Sequence, residues 1–354
     1  MSKTIKGMYL FSGRSHPYLA KTVSELLGEP IAAAKVELQA NRESKVNILV
    51  SVREKDVFII QTGSDDVNNC IFELLIMAYA CKTSSAKRII AVMPYLPYSK
   101  HSKMRNRGAI PAKLVASMMC KAGVNHVITV DLHQKEVQGF FDCPVDNLRA
   151  SPFIIRYIQQ DIPDYKNAVV VAREPGSTKR ATSFAERLHL SLAVIHGESK
   201  SDYYDEDGSG SPPPEYDDSS VSRVLPSVLP EIAPKEKPPM TLVGDVTGKI
   251  AIIIDDMIDN INLLLKASQL LQERGAYKIY ALATHGQFTQ SDANKLETSC
   301  LEEVVVTNTI PQNINSSKIK AIDISQLIAE SIRRIHNGES MSYLFRNIAA
   351  DEIN

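Results

Sequence analysis

Short runs of consecutive apolar residues alternate along the chain with longer stretches in which apolar residues recur every third or fourth position. The runs Phe58-Ile59-Ile60, Ile89-Ile90-Ala91-Val92 and Val127-Ile128-Thr129-Val130 lack the polar alternation of a half-solvated strand, so they predict strands covered on both faces. Between them, residues 67–83 and 109–122 carry helical spacing. The rhythm restarts with a strand at 168–171, a helix at 177–188, strands at 191–195 and 249–254, a helix at 263–274 closed by Gly275, and a strand at 279–282. Strand, helix, strand in this order predicts an α/β protein with two doubly wound parallel-sheet halves, divided near residues 146–151.

The run Ile250-Ala251-Ile252-Ile253-Ile254 discharges into Asp255-Asp256-Met257-Ile258-Asp259, and the carboxyl end of a parallel strand is where such sheets present ligand sites. A phosphate-cradling turn needs Gly and Thr or Ser next, to wrap an anion in backbone N–H groups and hydroxyls at a helix N-terminus. The chain supplies Asn260-Ile261-Asn262-Leu263-Leu264-Leu265 instead. The acids are kept and the cradle is lost.

The acidic pair, Asp131-Leu132-His133, Val304-Val305-Val306-Thr307-Asn308-Thr309 and Arg333-Arg334-Ile335-His336-Asn337-Gly338-Glu339-Ser340 resemble ribose-phosphate diphosphokinase, the phosphoribosyl pyrophosphate synthetase, over nearly the whole chain. Within that superfamily, Tyr98-Ser99-Lys100, Asp131-Leu132-His133-Gln134-Lys135-Glu136 and Lys235-Glu236-Lys237-Pro238-Pro239 resemble the non-catalytic synthetase-associated family. The resemblance implies two domains of type I phosphoribosyltransferase-like fold, 1–148 and 149–325, with residues 326–354 returning to the N-terminal domain.

An active synthetase transfers diphosphate from ATP to ribose 5-phosphate, with magnesium and cationic side chains neutralising the moving charge. Against that pattern, Asp255, Asp256 and Asp259 mark a vestigial ribose-phosphate site whose Thr-x-Gly-Thr turn is replaced. The loop after His196 carries a catalytic Lys and Arg in active members, and here Gly197 and Ser199 stand in that stretch, with Lys200 one position beyond. A single lost charge donor costs about 10³–10⁵ in rate in related systems. By resemblance, His133 and Glu174 are the candidate ligands of a weak magnesium site, and Asn41, Glu43 and Lys100 the candidate nucleotide contacts. Ser51, Arg53, Gln138, Asp146, Asn147, Ser340 and Ser342, with Phe345, match a regulatory site for phosphate or ADP that lies between subunits in the family.

Composition narrows the partners. Forty basic residues against forty-one acidic ones give a net charge of −1, which supplies no bulk attraction to nucleic acid or anionic membrane. The basic run from Lys100 to Arg107 has no interleaved aromatics, so it reads as a phosphate contact or solvated loop. No apolar stretch is long enough to span a bilayer, and the N-terminus lacks a signal-peptide core, so a cytoplasmic location is expected. The five cysteines contain no Cys-x-x-Cys pair and are expected to be buried thiols. Residues 199–239 hold eight of the 18 prolines and a crowd of acids, and cannot build a core.

These features together predict a catalytically deficient regulatory subunit that associates with active synthetase subunits and restrains their output, and that also forms homo-oligomers. Two readings compete with it. One is an active synthetase using Asp255, Asp256, His133 and Lys200; the other is a type I phosphoribosyltransferase, whose signature also needs Gly and Thr after the acids.

Overall fold

A computed structural model describes residues 7–104, 108–197 and 240–345. The expected acidic, proline-rich insertion, Ser199, Lys200 and the end of the basic run lie outside the described residues.

The chain opens with strand β1 (Met8–Ser12), helix α1 (Pro17–Leu27), an antiparallel hairpin of β2 (Ala34–Leu38) and β3 (Ser44–Ile48), and strand β4 (Asp56–Ile60). Helix α2 (Val67–Thr83), strand β5 (Arg88–Met93), helix α3 (Pro111–Ala122) and strands β6 (His126–Val130) and β7 (Val145–Leu148) complete a parallel sheet ordered β1-β4-β5-β6-β7. Helix α4 (Ser151–Asp161) leads to strand β8 (Ala168–Ala172), helix α5 (Thr178–Leu188), and strands β9 (Ser191–His196), β10 (Thr241–Val243) and β11 (Ile250–Ile258). Helix α6 (Ile261–Glu273), strand β12 (Lys278–Gly286), helix α7 (Gln290–Glu297) and strands β13 (Glu303–Thr307) and β14 (Ile319–Ile322) follow. Helices α8 (Ser325–Asn337) and α9 (Ser342–Phe345) come last. The second sheet is ordered β10-β9-β8-β11-β12-β13-β14, with β10 antiparallel to its neighbour. This is the α/β architecture of parallel sheets that the apolar runs predict.

Both faces of each sheet are covered, which is why the strands read as unbroken apolar runs. Along β11, Ile250, Ile252 and Ile254 enter a core shared with α1, α4, α5 and α8, while Ala251 and Ile253 enter a second core against α6 and α7. The first sheet likewise turns Leu10, Phe58, Ile90 and Ile128 into the shared core, and Phe11, Ile59, Ala91 and Val127 toward α2 and α3. One apolar cluster therefore runs from sheet to sheet.

The helix boundaries differ from expectation in instructive ways. Strand β11 runs on through both aspartates to Ile258, still pairing Met257 with His285 and Ile258 with Gly286 of β12. Helix α6 starts at Ile261, before the expected Leu263, because the Asn260 side chain caps it. Helix α3 starts at Pro111, where the fixed φ of proline suits a first helical position. No helix among the described residues is long and apolar enough to cross a membrane.

Strand order places the second sheet's ligand edge. From β8 the chain steps to β9 through α5 on the shared-core face, whereas β11, β12 and β13 step the other way through α6 and α7 on the opposite face. Right-handed crossovers force a change of face when the direction reverses, and the reversal opens a crevice at the carboxyl ends of β8 and β11.

Helix α8 packs against the first half of the chain. Leu327, Ile328, Ile332 and Ile335 of α8 share a core with Leu19, Ala20 and Val23 of α1. At its end, His336 Nδ1 donates to Asp56 at 2.9 Å, and Arg88 Nε donates to the same carboxylate at 2.8 Å. Burial alone would raise the Asp56 carboxyl, but hydrogen bonds and charge from Arg88 and His336 outweigh it and hold the group below its usual 3.8. A depressed carboxyl contributes stability that is present above the unfolded-state value and is lost as pH falls through the folded one. Asp56→Asn should therefore cost about 2 kcal/mol in chemical denaturation at neutral pH. The difference from wild type should begin to shrink as pH falls below about 4, the unfolded-state value, and close only once pH has passed through the lower folded value.

Candidate functional site

The crevice at the ends of β8 and β11 holds the two aspartates, both buried. Their compensation comes from three other places in the fold. Arg173, directly after β8, donates from Nε to Asp255 Oδ2 at 2.6 Å. His133, in the turn after β6, hydrogen-bonds Asp256 through Nδ1. Lys100, from the loop before α3, reaches Asp259 Oδ2 at 2.5 Å. The first half of the chain thus supplies two of the cationic partners for acids of the second half.

Burial pushes the Asp255 carboxyl up to about 6, against the opposing pull of Arg173 and with the Asp256 charge adding to the rise. Asp256 moves the other way: burial would raise it, yet the His133 hydrogen bond and charge, with the charge of Arg180, hold it well below the carboxylate range. Two adjacent carboxylates with opposed shifts are the signature of like charges sharing one buried place.

Next to the acids, Asn260 Oδ1 accepts hydrogen bonds from the backbone N–H groups of Asn262 at 3.1 Å and Leu263 at 3.4 Å. Those are the donors that the start of a helix offers to an anion, and here a side chain of the same turn takes them. Arg173, Asp255, Asp259, Asn260, Met257 and Leu264 line a small cleft.

Beneath the ion pairs a polar seam joins the ends of the two sheets. Asp131, held at φ +42, accepts from the Ala150 N–H at 3.0 Å and from Thr284 Oγ1 at 2.8 Å. His285 is buried and kept neutral by burial; its Nε2 donates to the Val130 carbonyl at 3.0 Å and its Nδ1 accepts from Thr309 Oγ1 at 2.8 Å. Thr62 Oγ1 donates to the Thr309 carbonyl at 2.7 Å, and His16 Nε2 to the Asn308 carbonyl at 2.9 Å while its Nδ1 accepts from Leu19 N at the start of α1.

The remaining candidates scatter. Asn41 and Glu43 sit at the exposed tip of the β2–β3 hairpin, where Asn41 Oδ1 accepts from the Glu43 N–H at 3.1 Å in a local turn. Glu174 is tied to its own turn: its N–H donates to Ser177 Oγ at 3.3 Å, and that hydroxyl donates to the Glu174 carbonyl at 2.9 Å. Among the described residues no three His, Cys, Asp or Glu side chains form a group that could hold a metal ion. His133 is bonded to Asp256 through Nδ1, which leaves its Nε2 free, while the Glu174 backbone is held in its own turn. An ion here would need nucleotide phosphates and water for its other ligands.

The regulatory-site candidates fall on separate parts of the first sheet. Ser51 and Arg53 precede β4, with Arg53 bridging Ala86. Asp146, on β7, accepts from His126 Nε2 at 2.7 Å, Asn147 accepts from the Leu132 N–H at 3.1 Å, and Gln138 Nε2 donates to the Lys135 carbonyl at 3.1 Å. Two strands separate β4 from β7, about 14 Å of sheet. Ser340 and Ser342 form a third group after α8, their hydroxyls 2.9 Å apart, with Phe345 nearby on α9.

Sequence reasoning missed Arg173, Asn260 as a cap, and the seam residues Thr284 and His285. Arg173 carried a signal, since it follows an apolar strand as the acidic pair does. The cysteines differ from expectation as well: Cys70 and Cys81 are buried, whereas Cys120, Cys143 and Cys300 are only partly covered.

Comparison with known proteins matches residues 164–346 to the phosphoribosyl synthetase-associated domain and residues 8–123 to the N-terminal domain of ribose phosphate pyrophosphokinase. The chain is 58% identical over 360 aligned residues to human phosphoribosyl pyrophosphate synthase-associated protein 2, covering 99% of this chain and 97% of that one. It is 55% identical over 337 aligned residues to the human associated protein 1, covering 94% of each. Among solved structures, phosphoribosylpyrophosphate synthetase from Mycobacterium smegmatis superimposes with a TM-score of 0.80 at 33% identity, covering 94% of this chain and 100% of that one.

Two substitutions probe the charge arrangement. Arg173→Ala leaves Asp255 buried without its guanidinium and should lower unfolding free energy by about 3 kcal/mol, with Arg173→Lys recovering part of it. Asn260→Ala removes only a helix cap and should cost about 1 kcal/mol. Urea titrations of both variants measure the contrast, and an Arg173→Ala variant as stable as wild type would contradict the pairing.

Proposed function

The chain belongs to the phosphoribosyl pyrophosphate synthase-associated family, and we propose that it is a regulatory subunit that docks against catalytic ribose-phosphate diphosphokinase subunits and restrains phosphoribosyl pyrophosphate formation without performing the reaction itself. The observation that carries this reading is the Asn260 side chain on the backbone N–H groups of Asn262 and Leu263, where an active member would seat the 5-phosphate of its sugar. Arg173, His133 and Lys100 pair with Asp255, Asp256 and Asp259, so the acids are already neutralised without sugar or nucleotide. Binding ribose 5-phosphate would have to displace the Asn260 cap and break these pairs.

An assembly role has its own support. Helix α2 turns Phe72 and Tyr79 outward, 55% and 57% exposed, and α3 adds Leu114 at 61%. An exposed apolar face of this kind fits a subunit contact. Ser51 and Arg53 ahead of β4 and Asp146 and Asn147 on the edge strand β7 suit a phosphate or ADP site completed between protomers. Lys100, with Asn41 and Glu43, is the candidate set for weak ATP contact, and the cytoplasm is the location consistent with partners that make nucleotide precursors.

The purified full chain, assayed for AMP release with ATP, magnesium and ribose 5-phosphate, should run about 10³-fold or more below an active synthetase. Mixing the two should lower the synthetase rate. Turnover close to that of the synthetase would favour the enzyme reading. Size-exclusion chromatography with light scattering should show homo-oligomers of the chain alone and mixed oligomers with the synthetase. A strict monomer that ignores the synthetase would refute the docking role.

A further inference from the structure

The partly covered cysteines are not equivalent. Cys120, at the end of α3, and Cys143, in the segment entering β7, have their sulfurs 3.7 Å apart, in direct contact. Each other cysteine has different company: Cys70 lies 3.0 Å from Ser64 Oγ, Cys300 donates to Ser268 Oγ at 3.2 Å, and Cys81, within α2, is fully buried. Both sulfurs of the pair lie at the rim of the outer core of the first sheet, among Met118, Ala122, Phe140 and Val145. A disulfide needs the sulfurs at about 2.05 Å, so each would move by roughly 1 Å, within reach of a side-chain rotation at a helix end and in a connecting segment.

We propose that Cys120 and Cys143 form a reversible intrachain disulfide when the chain meets a disulfide-class oxidant such as oxidised glutathione. Cys120 thiolate attacks one sulfur of oxidised glutathione, forming a mixed disulfide and expelling one glutathione thiolate. Cys143 then loses its proton, attacks the Cys120 sulfur and expels the second glutathione. Two protein thiols are oxidised, one glutathione disulfide is reduced, and the two protons end on the two glutathione thiols. The order of attack follows from the surroundings: burial, with Cys120 and Asp142 alongside, pushes the Cys143 thiol up to about 12, so it resolves rather than initiates. The bond would fasten the end of α3 to the lead-in of β7, the strand that carries Asp146 and Asn147.

The test equilibrates the full chain in graded mixtures of reduced and oxidised glutathione, traps remaining thiols with an alkylating agent, and reads intact mass and peptide maps. Two of the five thiols should disappear together, with a peptide joining positions 120 and 143, and a reductant should restore both. Cys143→Ser should lose the cross-link and accumulate a glutathione adduct on Cys120, while circular dichroism confirms that the variant folds. Five alkylatable thiols at the most oxidising ratio would overturn the proposal. So would a stable glutathione adduct on wild-type Cys120 with Cys143 still free, or an undiminished loss of two thiols in Cys143→Ser.

Discussion

Charge compensation at the carboxyl ends of β8 and β11 is the constraint on which the site depends. Two adjacent aspartates cannot stay ionised in a buried strand unless cations meet them there. Arg173 answers from the neighbouring strand, His133 from the other sheet, and Lys100 answers the nearby Asp259 from the loop before α3. Because two of these partners come from the first half, neutrality of the site and the relative placement of the two sheets are one problem. The seam from Asp131 to Thr284 and from His285 to the Val130 carbonyl holds that placement with hydrogen bonds lying beneath the ion pairs.

The shared core makes this arrangement possible. Helices α1, α4, α5 and α8 fill the space between the sheets, so the two ligand edges open onto one crevice instead of facing away from each other. The outer layers behave differently. Helix α2 is apolar on nearly every side, and only part of that surface meets the sheet. A helix that stays apolar on its solvent side is unusual in a monomer and makes sense where a second chain covers it.

A synthetase-like scaffold without a phosphate cradle is therefore a coherent object. The parallel sheets, the switch point and the acidic pair belong to the same architecture as the mycobacterial synthetase, with its TM-score of 0.80. What changes is local. At the start of α6 an asparagine caps its own helix, so two of the backbone N–H groups there are satisfied by a side chain of the same turn.

The sequence by itself determined strands β4, β5, β6, β8, β9, β11 and β12 and the long helices, since a strand buried on both faces must read as an apolar run and α2 needed no partner to be recognised over Val67–Thr83. It also placed Asp255 and Asp256 toward the carboxyl end of a strand buried on both faces. It was silent on β1, β7, β10, β13 and β14, on α1, the β2–β3 hairpin, α4 and α7, elements whose packing partners lie in segments distant along the chain. Only the tertiary structure decided which cation meets which acid: Lys100 and Asp259 are 159 residues apart, and His133 and Asp256 are 123 apart. The same holds for Cys120 against Cys143 and for the separation of Arg53 from Asp146. Local periodicity reports whether a residue is covered, whereas the identity of its partner depends on strand order and helix packing that link positions far apart in the chain.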